Sequence, residues 1–566
     1  METEMERKGE VDKEKTTKRN GFTIYLSIIK EEFLFVLRLV YGRQPSLSSV
    51  TIEFSERLTY FGLATNLISY LTKLMHQDLK TAAKNVNYWT GVTTLMPLLG
   101  GFLADAYTGR FNMVLFSSLI YLMGLILLTM SNFIPSLKPC NKMMCLRPRK
   151  IHEVVFFLAL YCISVGTGGI KPSLESFGAD QFDDDHSGER KKKMSYFNWW
   201  NFALCCGLVL GVTVIAYIED NVGWGVANLI LAIAMAITIV TFYLGKPWYR
   251  YRLSKGSTLT PLFQVLVAAI RKRNLPAPSD PALLYEVPIT HKSQGRLLCH
   301  TSSLRLTTVT KVEETKLILN MIPIWLTSLT FGICVAQGPT FFVKQATTLN
   351  LKVTDNFKIP PASIIALGAA GMLVSVTIYE KILVPTLRKV RGNERGINIL
   401  QRIGIGLALS VLAMSVAALV EMKRLKAVDN ELIRKGKTGP LSLSVFWLAP
   451  QTIILGIGDG FALVGLQEYF YDQVPDSMRS LGIAFYLSVL GAGSFLSSFL
   501  ITVVDHVTEK GGRSWFAKDV NSCRLDNFYW LLAAMSGLNL CIYMVLAMKY
   551  TYKNVQRRVI VTDGSD

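Results

Sequence analysis

Acidic side chains are scarce in this sequence: 41 Asp and Glu stand against 60 Lys and Arg, and charged residues of both signs make up only 18% of the chain. Half of the 566 residues are hydrophobic and mean hydropathy is positive, which excludes both a soluble chain of this length and one small domain. Histidine is rarer still. Its six copies are dispersed, and neither a paired-histidine motif nor a serine elbow occurs, so the commoner zinc and acyl-transfer chemistries find no residues. The chain reads as a non-enzyme with no cofactor and no metal site. Nine cysteines are scattered, mostly in apolar stretches where Cys behaves as a small apolar residue. Cys140 and Cys145 share a connecting loop; they either bridge each other, meet Cys523 in another loop, or stay free thiols. Residues 1–20 lack the apolar core and cleavage site of a signal peptide and read as a disordered cytosolic leader.

What is abundant is long apolar runs. Segments of about 20 apolar residues recur near 50–74, 88–107, 112–134, 152–174, 195–219, 222–245, 316–343, 362–385, 397–421, 443–465, 480–504 and 527–548. Such runs are too long for the alternating strands of a membrane barrel, so the expectation is an all-α membrane protein with twelve spans. The formal charge of +19 would suggest nucleic acid on a soluble chain, but here its placement accounts for it. The 246–316 connection, ERKKK at 189–193, the bases of 388–395 and the tail with Arg557 and Arg558 all fall on one side of a twelve-span count. That side is cytosolic by the positive-inside rule, with both termini there, although the connections at 138–150 and 423–437 are basic too. The acidic run DQFDDD at 180–185, beside ERKKK, reads as a solvated loop.

One apolar run is interrupted in a way that carries chemistry. Glu53, Glu56 and Arg57 lie three and four residues apart, so they share one helix face. At roughly 2.5 to 3.5 kcal/mol per charge at a helix centre, three charges facing lipid cost about 8 to 10 kcal/mol, so the trio faces protein or water. Two carboxylates beside one arginine suit a group that takes up and releases a proton. Lys171 ends an uncharged stretch that begins at Val154 and needs an acidic partner, and the trio carries one acid more than its arginine neutralises. The long 246–315 linker divides the spans six and six, as expected of two bundles that rock about a central site. The expected domains are a leader at 1–47 with an atypical insert at 30–50, bundles at 48–245 and 316–548, the basic linker between them and a tail at 549–566. GGFLADAYTGR at 100–110 reads as a tight turn in which Asp105 and Arg110 latch neighbouring helices.

Four motifs resemble those of the proton-dependent oligopeptide transporters, more closely the plant nitrate transporter/peptide transporter family within the major facilitator superfamily. They are EFSERLTYFG at 53–62, GTGGIKPSLESFGADQFD at 166–183, SYFNWWNF from Ser195 and QEYFYDQVP at 467–475. The resemblance implies the major facilitator fold, alternating access and proton-coupled uptake of a small solute such as nitrate, a peptide or another small metabolite. It casts Glu53, Glu56, Arg57 and Lys171 as the proton-coupling group. Asp459 in GIGDGF, with Tyr60, Trp325 and Gln337, becomes the candidate substrate-binding set. Partners are then protons, the solute and the bilayer, with no nucleic acid, in the plasma or vacuolar membrane. A proton-independent facilitator or exporter of a small organic solute is the alternative.

Departures narrow the substrate. Val335 stands where nitrate-holding members place a histidine, before Ala336 and Gln337. Cys205 and Asn201 stand where peptide-transporting members usually have an asparagine and a tyrosine. GFTIYLSII at 21–29 reads as the entry into the first span and TIEFSER at Thr51 as its continuation, so the 30–50 insert, with Arg38, Arg43 and Pro45, moves the start of that span to near Ser46.

Overall fold

The computed structural model describes residues 46–134, 150–183, 187–251, 267, 309–354, 357–391, 397–435, 441–474, 479–511, 514–517 and 519–550. The leader and most of the insert, the loop with Cys140 and Cys145, nearly all of the linker and the tail lie outside these residues. The first described helix, α1 (Ser46–Lys73), begins where the insert was expected to hand over to the span. It is followed by α2 (Leu79–Leu103), α3 (Arg110–Phe133), α4 (Lys150–Ala179), α5 (Ser187–Leu210) and α6 (Trp224–Leu244). Beyond the linker come α7 (Val309–Val335), α8 (Ile365–Ile378), α9 (Ile399–Lys435), α10 (Ala449–Gln473), α11 (Arg479–Lys510) and α12 (Leu525–Lys549). A short antiparallel hairpin pairs Lys352–Thr354 with Phe357–Lys358.

Ten of the described helical spans are long and apolar enough to cross a membrane; α1 and α2 fall short of that measure. Charge explains α1, which carries Glu53, Glu56 and Arg57. In α2 the cause is polarity, with Lys80, Lys84, Asn85, Asn87 and four threonines in a single helix. Elsewhere the helices are inverted relative to those of a soluble protein. On α3 the exposed side chains are Phe116, Leu119, Met123, Ile126, Met130 and Phe133, a continuous apolar stripe, whereas Ser117, Ser118 and Tyr121 are buried. Apolar outside and polar inside is the pattern that lipid selects.

Contacts divide the chain into two compact units. The first holds α1 to α6 together with residues 339–366, and the second holds 101–108, 254–338 and 367–566. The 339–366 segment joins the first unit because Lys344 Nζ donates to Thr72 Oγ1 at 2.9 Å and the turn Pro361–Ile364 packs on the π turn Gly211–Ile215. In the first unit α4 crosses α2 where Gly100 meets Gly168; a Cβ on Gly100 would overlap the Gly168 carbonyl, so only glycine allows this approach. Gly109, with φ of 74°, turns the chain from the π segment Ala104–Thr108 into α3, as the glycine-rich sequence there predicts. The second unit is built round Met321, Phe331, Ile403, Leu466, Tyr469 and Phe470 from α7, α9 and α10.

Candidate functional site

The acidic cluster forms from α1 alone and is completed by α4. Glu53 and Glu56 are fully buried. Arg57 Nε donates to Glu53 Oε1 at 2.6 Å and lies 3.5 Å from Glu56 Oε2. One guanidinium nitrogen therefore serves two carboxylates, with the stronger bond going to the residue one full turn away. Thr167 Oγ1 of α4 donates to Glu56 Oε1 at 3.4 Å, and the Tyr121 hydroxyl lies 3.5 Å from the Glu56 carbonyl. Glu53 Oε2 and Glu56 Oε2 remain buried without a hydrogen-bond donor. Each carboxylate is thus paired with Arg57 but keeps one buried oxygen incompletely hydrogen-bonded.

Lys171 is one turn beyond Thr167 on the same face of α4, but it does not make the expected ion pair with an acid of α1. Its Nζ sits 4.5 Å from the centroid of the Tyr60 ring. Tyr60 follows Glu56 by one turn on α1 and occupies the place facing Lys171, with its ring stacked 5.8 Å from Trp89. A cation–π contact of about 0.5 to 2 kcal/mol thus replaces the direct bridge. Tyr60, expected in the substrate set, here joins the charge cluster to the lysine.

In the second unit the candidates are not gathered. Trp325 Nε1 donates to Ser488 Oγ at 2.8 Å. Gln337, fully buried, donates to the Ile333 carbonyl at 2.8 Å and to Ser497 Oγ at 3.2 Å. Both side chains are thereby tied to α11. The twelve residues that separate them amount to about 18 Å along a helix axis, too far for one small solute to span easily. Asp459 is half-buried, and its Oδ1, like Gln337 Oε1, has no hydrogen-bond partner.

The latch pair is only partly as expected. Arg110 forms an ion pair with Asp180 at the end of α4, and the side chain of Asp105 lies outside the described residues. Asp180 is buried, so the acidic run at 180–185 starts with a structural residue and not with solvated loop. The segment is further held by Gln181, which exchanges hydrogen bonds with the backbone of Arg250, and by Glu189 paired with Arg250 at 2.7 Å. Cys523 is a free buried thiol whose Sγ donates to the carbonyls of Ala517 and Asp519; burial pushes it up to about 12. Among the described residues no group of three or more His, Cys, Asp or Glu is placed to hold a metal ion.

Sequence reasoning missed three residues. Thr167 carries no charge to betray it. Glu175, half-buried one turn beyond Lys171, is an acid that its spacing in the same helix should have flagged. Glu219, buried near the far end of α1, was hidden by its position at the edge of an apolar run.

The sequence pattern of the POT family matches residues 111–519. Two Arabidopsis thaliana proteins, NRT1/PTR family 5.6 and 5.7, are each 58% identical to the chain, over 537 and 550 residues; the matches cover 91% and 92% of this chain and 92% and 91% of theirs. Among solved structures, an auto-inhibited POT family peptide transporter shares the fold with a TM-score of 0.69 at 18% identity, over 91% of this chain and 99% of that one. A POT family transporter in complex with 5-aminolevulinic acid gives a TM-score of 0.62 at 14% identity, over 89% and 96%. Those families and neighbours are membrane transporters and not enzymes, which accords with the apolar spans and the absence of a hydrolytic or metal motif. The chain belongs to the POT family, as a multi-pass membrane transporter of its NRT1/PTR group.

Proposed function

We propose that the protein is a proton-coupled symporter of a small solute, working by alternating access with twelve spans in two six-helix bundles of the major facilitator type. The observation that carries the reading is the pair of fully buried carboxylates sharing Arg57, each with an oxygen that lacks a donor. With Glu53 and Glu56 ionised and Arg57 and Lys171 charged, the group is neutral as a whole. One added proton unbalances it. The excess positive charge is relieved when Lys171, already held by Tyr60 alone, leaves the cluster, so protonation biases α4 against α1 and with it the inward and outward states.

The family resemblance offers nitrate and peptides as substrate chemistries, and the similar solved structures are a peptide transporter and a transporter in complex with 5-aminolevulinic acid. Val335, Cys205 and Asn201 remove groups that nitrate and peptides usually meet. A small metabolite bearing an acidic group is favoured, since Lys171 and Arg57 offer cations. The proposal includes cytosolic termini, which the positive-inside rule supports, and residence in the plasma or vacuolar membrane. An untargeted solute screen in a heterologous membrane, with and without an inward pH gradient, tests the reading. A solute accumulated only with the gradient, and no longer accumulated by Lys171→Ala, supports it. Accumulation indifferent to both the gradient and Glu53→Gln leaves a proton-independent facilitator.

A further inference from the structure

At the opposite end of α1 from the charge cluster a second acid is buried without an ionic partner. Glu219 lies in the short helix Ala216–Asn221, reached from α5 through the π turn Gly211–Ile215, and is 2% exposed. Its Oε2 accepts one hydrogen bond, 3.0 Å from the amide nitrogen of Asn66, which is itself fully buried. Glu219 Oε1 has no partner, and Asn66 Oδ1 and Ser69 Oγ, one turn apart on α1, have none either. The charged neighbours do not compensate it. Lys73 of α1 is paired with Asp220, 3.6 Å away, and Asp220 adds a like charge beside Glu219. Lys344 is bonded to Thr72, the Tyr70 hydroxyl contacts His152 and Asn132, and neither α6 nor the π turn contains a charged residue. An ionised carboxylate here would be a buried charge stabilised by one neutral amide, and its desolvation exceeds what that bond returns.

We propose that Glu219 is a second proton-binding site of this transporter, separate from the one built on Glu53, Glu56 and Arg57. Asn66 follows Arg57 by nine residues, about 14 Å along the helix, so one rigid element links the two sites. The π turn beside Glu219 packs directly on α1, where a Cβ on Gly62 would press into Ile215, and a π turn of this kind can shift register without breaking a helix. Protonated, Glu219 is a neutral donor that α1 and the turn can hold; deprotonated, it drives them apart to admit water. Its part in transport rests on the symport reading, but the bound proton does not.

Infrared spectroscopy of the purified full-length chain at neutral pH tests the site by the carbonyl stretch of protonated carboxyls. The proposal expects a wild-type band that is lost in Glu219→Gln, retained in Glu53→Gln, and moved to higher frequency in Asn66→Leu, which takes away the amide bond. If Glu219→Gln does not yield folded protein, the Asn66→Leu shift alone decides. An unchanged spectrum in both variants means that Glu219 is ionised, and overturns the proposal. Uptake assays separate this from the symport reading: a band assigned to Glu219 in a protein whose uptake ignores a pH gradient keeps the site and sinks symport. Gradient-driven uptake without the band does the reverse.

Discussion

Arg57→Gln leaves Glu53 and Glu56 buried with no cation between them, and the geometry ranks what should rescue it. At an effective dielectric of 20 the 2.6 Å contact with Glu53 is worth about 6 kcal/mol of Coulomb attraction and the 3.5 Å contact with Glu56 about 5. Charge alone barely separates them. The hydrogen bond does, since Arg57 Nε donates to Glu53 and a bond to a charged group adds about 1.5 to 3 kcal/mol. Removing one member of a buried ion pair typically costs 3 to 5 kcal/mol, because the stranded charge stays buried, so Arg57→Gln should be lowered by about that amount. Adding Glu53→Gln should return most of the loss, and adding Glu56→Gln less, because Glu56 keeps its contact with Thr167. The assay is unfolding of the full chain in lipid nanodiscs, read by intrinsic tryptophan fluorescence, for the wild type, the three single variants and the two doubles. Equal rescue by both glutamine changes, or stronger rescue through Glu56, refutes the assignment of Glu53 as the principal partner.

Three further outcomes follow from separate parts of the structure. Asp180→Asn should destabilise the chain by about 1.5 to 3 kcal/mol, the range for a hydrogen bond to a charged partner, and Arg110→Gln by a similar amount, with little added by combining them; additive losses would mean that the two do not act as a pair. Gly168→Leu should abolish the α2–α4 crossing and leave little folded protein by size-exclusion chromatography, whereas Gly338→Ala, where a Cβ meets open space, should be tolerated. The Cys523 thiol, pushed up to about 12 by burial, is protonated through the ordinary pH range, so maleimide should label it at pH 8 only after unfolding; rapid labelling of Cys523 itself in the folded protein, located by peptide mapping because Cys541 is exposed, would contradict its burial.

The parts of the site that could be read in advance are those that break an otherwise uniform pattern. Glu53, Glu56 and Arg57 stood out because charges are costly in an apolar run, and their three- and four-residue spacing fixed their mutual contact without any tertiary knowledge. Contacts between helices were not legible in this way. Lys171 was expected to meet an acid of α1, but which residue it meets depends on the rotation of α4, and an aromatic ring one turn from Glu56 took that position. Gln337 and Trp325, which the family resemblance places in the substrate set, each donate to a serine of α11, and no sequence pattern shows that contact. Asp180 was misread because an acidic run beside a basic one looks solvated, and only the fold brings Arg110 to it. The twelve apolar runs all became helices, yet α1 and α2 fail a simple hydropathy measure, since the helices that carry polar chemistry are the ones that lose apolar character.

The most direct test of proton coupling is simultaneous recording of solute and proton movement in proteoliposomes after a solute pulse without any imposed pH gradient. Proton entry that accompanies the solute, and disappears in Glu53→Gln along with concentrative uptake, is the predicted result. Solute entry with no proton movement in the wild type would contradict the account.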